Sequence, residues 1–299
     1  MSTTPPGKRP FYKYTSASTA LAILKSGTVR YSSPLKFNDP FDVQAGLHFD
    51  FDLTTLLDKF LDRLHELAAA SVEPPVDPED IWGKVVLEAR NHYPEHGFPR
   101  ERWKKLAAEL FDRQIQVIKS TQQDYQQHWW NTLLPSIRVF SVSEDRDNLL
   151  MWAHYARDHT GVVFEFWSLP DEDNPLSISR AVEYVDSPLP FMTEAELLDD
   201  MTGIKKLDMD ALYKRYVYAK SKHWSYEREW RVWYPLAATG TYADMPIRQS
   251  EFKALYLGCR ASPEFVKEAL ALVNTVFPDI RIFRANRCED AYALEYTEL

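Results

Sequence analysis

The residues best suited to chemistry in this 299-residue chain sit together in Trp224-Ser-Tyr-Glu-Arg-Glu-Trp-Arg231, followed by Val-Trp-Tyr234. In a strand, alternate side chains point to opposite faces. Tyr226, Arg228 and Trp230 then share one face, and Glu227, Glu229 and Arg231 the other. Two carboxylates and a guanidinium on one face of an aromatic-rich strand are costly to bury unless they pair or work. Two arrangements answer that cost. Either Arg231 holds both glutamates in a salt-bridge ladder, or the strand is a catalytic Glu-x-Glu pair.

The other polar clusters point less sharply to chemistry. Phe37-Asn-Asp-Pro-Phe-Asp42 carries turn residues, so Asp39 and Asp42 are expected to make turns and cap a helix. A metal-dependent nuclease would need acidic ligands converging with a lysine, and Asp39, Asp42 and Lys36 are the nearby set. Their spacing favours the turn. His154 and His159 are five residues apart, which does not give the four-apart helical pair of a metal site. A helical histidine beside Trp152 and Tyr155 fits a hydrogen-bonded core position, so no metal is expected.

Bulk properties exclude several classes. The net charge of −9 argues against a dominant nucleic-acid surface, although a local basic groove is compatible with it. Two cysteines, Cys259 and Cys288, cannot build a disulfide framework or a zinc site by themselves, which suits a reducing, cytoplasmic setting. No apolar run is long enough to span a bilayer, and no membrane partner is expected. With only 9 glycines and no Gly-rich phosphate loop, Rossmann and P-loop folds are disfavoured. Hydrophobic residues at 45%, with 9 Trp, 16 Tyr and 16 Phe, can line both a core and a cleft.

The elements that must position these residues follow from pattern. Residues 1–10 read as a disordered lead. Phe11–Thr15 is β-prone, a helix runs over 17–25 and stops at Gly27, and Thr28–Ser32 is a second strand. From about 53 to 131 the character is helical. Leu56, Leu57, Phe60, Leu61 and Leu64 form one stripe, and Leu106, Leu110, Ile115 and Ile118 form another. Strands are expected over 136–143, 162–166, 181–185, 224–234, 254–258, 280–283 and 292–296. Helices are expected over 149–158, 194–202, 207–220 and 263–274. This is one α+β domain over 11–299: a split or antiparallel β core with a helical insertion, or lid, at about 53–131.

Four motifs stand in order: Tyr12-Lys-Tyr-Thr15, Phe37-Asn-Asp-Pro-Phe41, Trp152-Ala-His-Tyr155 with Gly161, and Trp224-x-Tyr-Glu-x-Glu-Trp-Arg231. Together they resemble a bacterial family catalogued as domain of unknown function 2971. The opening aromatic-Lys-x-Thr, the helix ending in Leu-Lys-Ser-Gly27 and Thr28-Val-Arg-Tyr-Ser-Ser33 look like the start of ADP-ribosyltransferases, including the DNA-targeting toxin branch. That resemblance implies a split, mostly antiparallel core with NAD as substrate. It also implies transfer to a nucleic-acid or protein acceptor, or plain NAD hydrolysis, in a setting such as phage defence. Lys13 would stand where those enzymes hold NAD with Arg or His, and Tyr31 and Ser32 would lie under the nicotinamide. Glu229 would stabilise the positive charge on the ribose and Glu227 would orient the acceptor. Trp152, His154 and Tyr155 would contact the base and amide, and Arg231 would stiffen the carboxylates or meet the pyrophosphate. Without catalysis, the same Trp/Tyr cleft is a sensor module recognising a nucleotide or a protein partner.

Overall fold

Ser16 caps the first helix through its side chain, and Gly27 ends it in the left-handed conformation (φ 66°). The chain before and after that helix enters one sheet, so the strand–helix–Gly–strand expectation holds at the start of the fold. The computed structural model describes residues 7–236 and 240–299. Of the lead expected over 1–10, residues 1–6 lie outside the described residues, and the first strand already begins at Arg9. The fold is α+β, with a mixed, mostly antiparallel sheet.

Two compact units divide the chain. The first comprises residues up to 45, 132–187 and 218–299; the second comprises 46–131 and 188–217. In the first unit the strands are β1 (Arg9–Thr15), β2 (Thr28–Ser32), β3 (Ile137–Ser143), β4 (Val162–Ser168), β5 (Arg180–Ala181), β6 (Glu183–Val185), β7 (Ala219–Ser221), β8 (Glu229–Pro235), β9 (Tyr242–Pro246), β10 (Phe252–Leu257), β11 (Arg281–Arg287) and β12 (Leu294–Glu298). Its helices are α1 (Ala17–Ser26), α2 (Leu149–His154) and α3 (Pro263–Val276). The order β9-β2-β3-β1-β4-β10-β11-β12 makes the main path of the sheet, and β8 pairs with β3. Among the described residues β10 and β11 are the parallel pair within that sheet, joined through α3, so the strand–helix–strand closure expected over 254–283 is present. The core lies where Phe11, Tyr31, Phe140, Phe164, Phe166, Val232 and Phe252 meet α1 and α3.

The second unit is mainly helical. Helices span Leu56–Ala69, Ile81–His96, Arg100–His128, Glu194–Met201 and Met209–Val217, and a short parallel pair joins Phe49–Asp50 to Met192–Thr193. The stripe of the long helix differs from the expected one. Ile118 is buried as expected, but Leu106 and Leu110 are exposed, and Trp103, Ala107 and Phe111 are buried in their place. Phe111 packs tilted against Phe60, ring centroids 5.0 Å apart, and the burial of Phe60 fixes which side faces inward. The aromatic anchors, with more area to bury than leucine, decide the face. Among the described residues no helix is long and apolar enough to cross a membrane.

The run around Trp224 is not one strand. Residues Lys222–Glu227 form a 3-10 helix, Arg228 is left-handed (φ 45°), and β8 starts at Glu229. Likewise the helix expected over 207–220 ends at Val217, and Lys220 stands in β7, paired in parallel with β6. The helix expected over 149–158 ends at His154, because Arg157, Asp158 and His159 all take positive φ before Gly161.

Candidate functional site

Strand β3 creates the site by forking the sheet. One edge pairs with β8 along seven residues. The opposite edge meets β1 only at Tyr12↔Ser143 and β2 only at Ser32↔Val139. Between those two points the backbone of β3 lacks a neighbouring strand, and its polar groups need other partners. Lys13 supplies one, donating from Nζ to the Ser141 carbonyl at 2.7 Å. A cleft of about 480 Å³ opens in the fork, within the range of small-molecule sites. It is lined by residues of β1, β2 and β3, by the Lys36–Asn38 and Asp42 positions of the following loop, by His154 and Tyr155, and by Lys220, Glu227 and Glu229.

The cleft wall is a buried charge network. Lys220 Nζ lies 2.5 Å from Glu227 Oε2, 3.0 Å from Glu229 Oε2 and 3.5 Å from Asp42 Oδ2. Arg231, fully buried, donates to both oxygens of Glu229 (2.7 and 3.0 Å) and to Asp42 Oδ2 (2.6 Å). Tyr155 donates to Glu227 Oε1 at 2.5 Å. Aromatic faces close the network: Trp224 lies 5.2 Å from the Lys220 ammonium and Phe37 lies 5.3 Å from the Arg231 guanidinium. Trp224 is itself fixed by Nε1 donating to Asp39 Oδ2 at 2.6 Å.

These surroundings set the protonation states. Burial would raise the Glu229 carboxyl, but Arg231 and Lys220 outweigh it and hold the group far below the usual carboxylate range. Glu227 goes the other way. Burial raises it, Glu229 adds to the rise, and Lys220 only partly opposes it. Two carboxyls on one ammonium are thus pushed apart, the pattern that separates acid from base roles in active sites. Lys220 remains a cation, because Glu229, Asp42 and Glu227 outweigh its burial. The Lys13 ammonium is lowered by burial to about 8, despite the opposing pull of Glu229 and Glu227.

Residues 151–232 match the family model described as "Protein of unknown function (DUF2971)". That stretch holds two of the four motifs behind the resemblance, the Trp152–Gly161 and Trp224–Arg231 runs. No curated protein matches the chain, and no solved structure matches it.

Within and around the DUF2971-matching stretch, the residues singled out from sequence separate cleanly. Lys13, Ser32, His154, Tyr155, Glu227 and Glu229 all line the cleft. Tyr31 does not: alternation along β2 turns Arg30 and Ser32 to the fork and Tyr31 to the core, where it stacks 5.0 Å from Phe140. Trp152 is fully buried against Tyr14 and His159, with Nε1 donating to the Arg146 carbonyl. Arg231 lies behind the carboxylates and meets no open space. His154 pairs through Nδ1 with the Tyr226 hydroxyl at 3.0 Å. Among the described residues no cluster of three or more His, Cys, Asp or Glu could hold a metal ion.

Two members of the network escape a reading of local sequence. Lys220 resembles the basic end of a helix, and only its parallel pairing with β6 reveals it as a buried cation. Asp42 resembles a turn residue, and only the guanidinium of Arg231 shows that it is an ion-pair partner. Asp39 does act as expected of a turn residue, accepting from the Phe41 amide.

Proposed function

We propose that the fork cleft binds a nicotinamide dinucleotide and breaks its nicotinamide–ribose bond, as an ADP-ribosyltransferase or NAD-hydrolysing effector. One observation carries this reading: a cation from β1, a hydroxyl from β2 and a pair of carboxylates with divergent protonation behaviour surround one cleft. The lining holds Lys13, Arg30, Lys36 and Lys220 against Asp42, Glu227 and Glu229, so the cleft leans cationic in a chain of net charge −9. A diphosphate suits that balance. Lys13 has N–H groups beyond the one given to Ser141, and Ser32 and His154 offer further polar contacts. Lys13 meets a phosphate oxygen as a point charge rather than a fork.

The working carboxylate in this reading is Glu227. Both oxygens of Glu229 are occupied by Arg231 and Lys220, which suits it to orienting the network. Each oxygen of Glu227 accepts one described hydrogen bond, which leaves a lone pair on each for a ribose hydroxyl. As the bond to the ring nitrogen breaks, its electron pair leaves with nicotinamide and positive charge develops on the ribose. A fixed carboxylate beside that carbon stabilises the charge. Water or an acceptor hydroxyl then bonds to the ribose carbon and gives up its proton.

The saturation of Glu229 favours a second reading, in which the network is structural and the cleft only recognises a nucleotide or protein partner. Nicotinamide release from NAD by wild type, Glu227→Gln and Glu229→Gln separates the two. The enzyme reading expects release that drops about 100-fold or more in Glu227→Gln. NAD binding without release supports recognition. Neither release nor binding, with cell extract or nucleic acid added, defeats the nucleotide reading.

A further inference from the structure

Among the described residues, Asp42 is the carboxylate of the network with an oxygen left without a hydrogen-bond partner. Its Oδ2 takes Arg231 at 2.6 Å and faces Lys220 at 3.5 Å. Its Oδ1 is buried and has no hydrogen-bond partner among the described residues. Such orphans are rare in folded proteins, because a buried acceptor left unpaired forfeits the hydrogen bonds that water would give it. The residue is 4% exposed, yet it forms part of the cleft wall beside Phe37 and Asn38. The next residue, Val43, is left-handed (φ 63°), an unfavourable conformation for a β-branched side chain. Arg231, Lys220 and the strained turn therefore hold a carboxylate at the cleft with one acceptor unused.

We propose that Asp42 selects the ligand, its Oδ1 accepting a hydrogen bond from the carboxamide NH₂ of a nicotinamide dinucleotide and repelling the corresponding carboxylate. The inference rests on the nucleotide reading above and sharpens it to the amide form of the dinucleotide. The placement follows from shared geometry. Asp42 and Glu227 both lie within 3.5 Å of the same Lys220 nitrogen. The two carboxylates are therefore close enough to meet the ribose and the base substituent of one nucleotide. The amide donor supplies the missing hydrogen bond to Oδ1. A carboxylate in the same place supplies no proton and adds a like charge.

The test needs no variant at first. Binding of NAD and of nicotinic acid adenine dinucleotide to the whole wild-type chain is measured by calorimetry. The expected result is NAD binding about 10- to 100-fold tighter, the range of a hydrogen bond to a charged group. Asp42→Asn, whose amide can donate as well as accept, is expected to bring the two ligands within about threefold of each other. Equal affinity of the wild type for both ligands overturns the role of Asp42 while leaving the nucleotide reading intact. Binding of neither ligand overturns both. Preference for NAD that persists undiminished in a folded Asp42→Asn variant also overturns it, since the discrimination then lies elsewhere.

Discussion

Replacing Arg231 with methionine tests whether the guanidinium holds the cleft wall together. Methionine keeps most of the length and apolar contact of arginine but removes, among the described residues, two hydrogen bonds to Glu229 and one to Asp42. Both carboxylates stay buried, with Lys220 as the remaining cation in direct contact among the described residues. Breaking a buried pair from one side costs about 3–5 kcal/mol, because the remaining charge is left uncompensated. The cost should depend on pH. In the wild type the Glu229 carboxyl is depressed, so its contribution is complete above the unfolded value of roughly 4.3 and is lost as pH falls through the lower folded value. Without Arg231, burial dominates and raises the carboxyl. The ionised form is then destabilising at neutral pH, and protonation relieves it as pH falls.

The variant should therefore lose about 3–5 kcal/mol at about pH 7 and visibly less at about pH 4.5. Hydrogen exchange of β3 and β8 amides during urea unfolding is the suitable measurement, since it reports on the first unit separately from the second. Replacing Arg231, Glu229 and Asp42 together by apolar residues should recover most of the loss. A change below about 0.5 kcal/mol at both pH values, typical of surface substitutions, would refute the argument that the guanidinium carries the wall.

Three further outcomes follow from the same geometry. The affinity of the wild type for ADP should fall as pH rises through about 8, where the Lys13 ammonium loses its proton, and Lys13→Met should bind weakly with no such dependence; an unchanged wild-type affinity up to pH ~9 removes Lys13 from phosphate contact. Gly161→Ala should lower stability by about 3 kcal/mol, because a Cβ there would lie 2.1 Å from the Thr15 carbonyl oxygen and 2.9 Å from that of Ala156, both backbone atoms. An unshifted urea midpoint would show that these segments are less tightly apposed. Trp224→Phe keeps the ring but removes the Nε1 donor to Asp39, and should cost about 1.5–3 kcal/mol by thermal or urea unfolding, with an unchanged midpoint counting against that bond.

How much was legible from sequence depended on whether the deciding contact was local. Glu227, Glu229 and Arg231 were grouped by strand alternation, and they do converge, although a 3-10 turn and a left-handed Arg228 bring Glu227 there instead of a strand. The α+β class and the mostly antiparallel sheet followed from strands that alternate and turns with their own chemistry. Placing both Tyr31 and Ser32 under one ligand overlooks alternation along β2, which turns them to opposite faces; the larger apolar surface of Tyr31 goes to the core. Trp152 followed the same rule. Lys220 was hidden because parallel pairing with β6 is a tertiary fact, and a basic residue after an amphipathic run has the pattern of a helix end. Leu106 and Leu110 misled because helical spacing defines a stripe only up to rotation, and the ring of Phe60 selected another.

The distribution of cost within the first unit argues for use over mere stability. Apolar residues of similar volume usually replace a buried ion network without loss, so stability alone does not call for five charged groups here. Local penalties collect beside them. Asp42 carries an unsatisfied oxygen, Val43 is a left-handed β-branched residue, and Arg228 is left-handed between the two glutamates. Each costs on the order of 1–3 kcal/mol. The left-handed run Arg157–His159 differs, since it delivers the chain into Gly161 and the close approach to Thr15. Penalties that serve a turn are spent on the fold. Those at Asp42, Val43 and Arg228 lie beside the cleft carboxylates, and under the proposal for Asp42 a ligand donor would recover part of the cost.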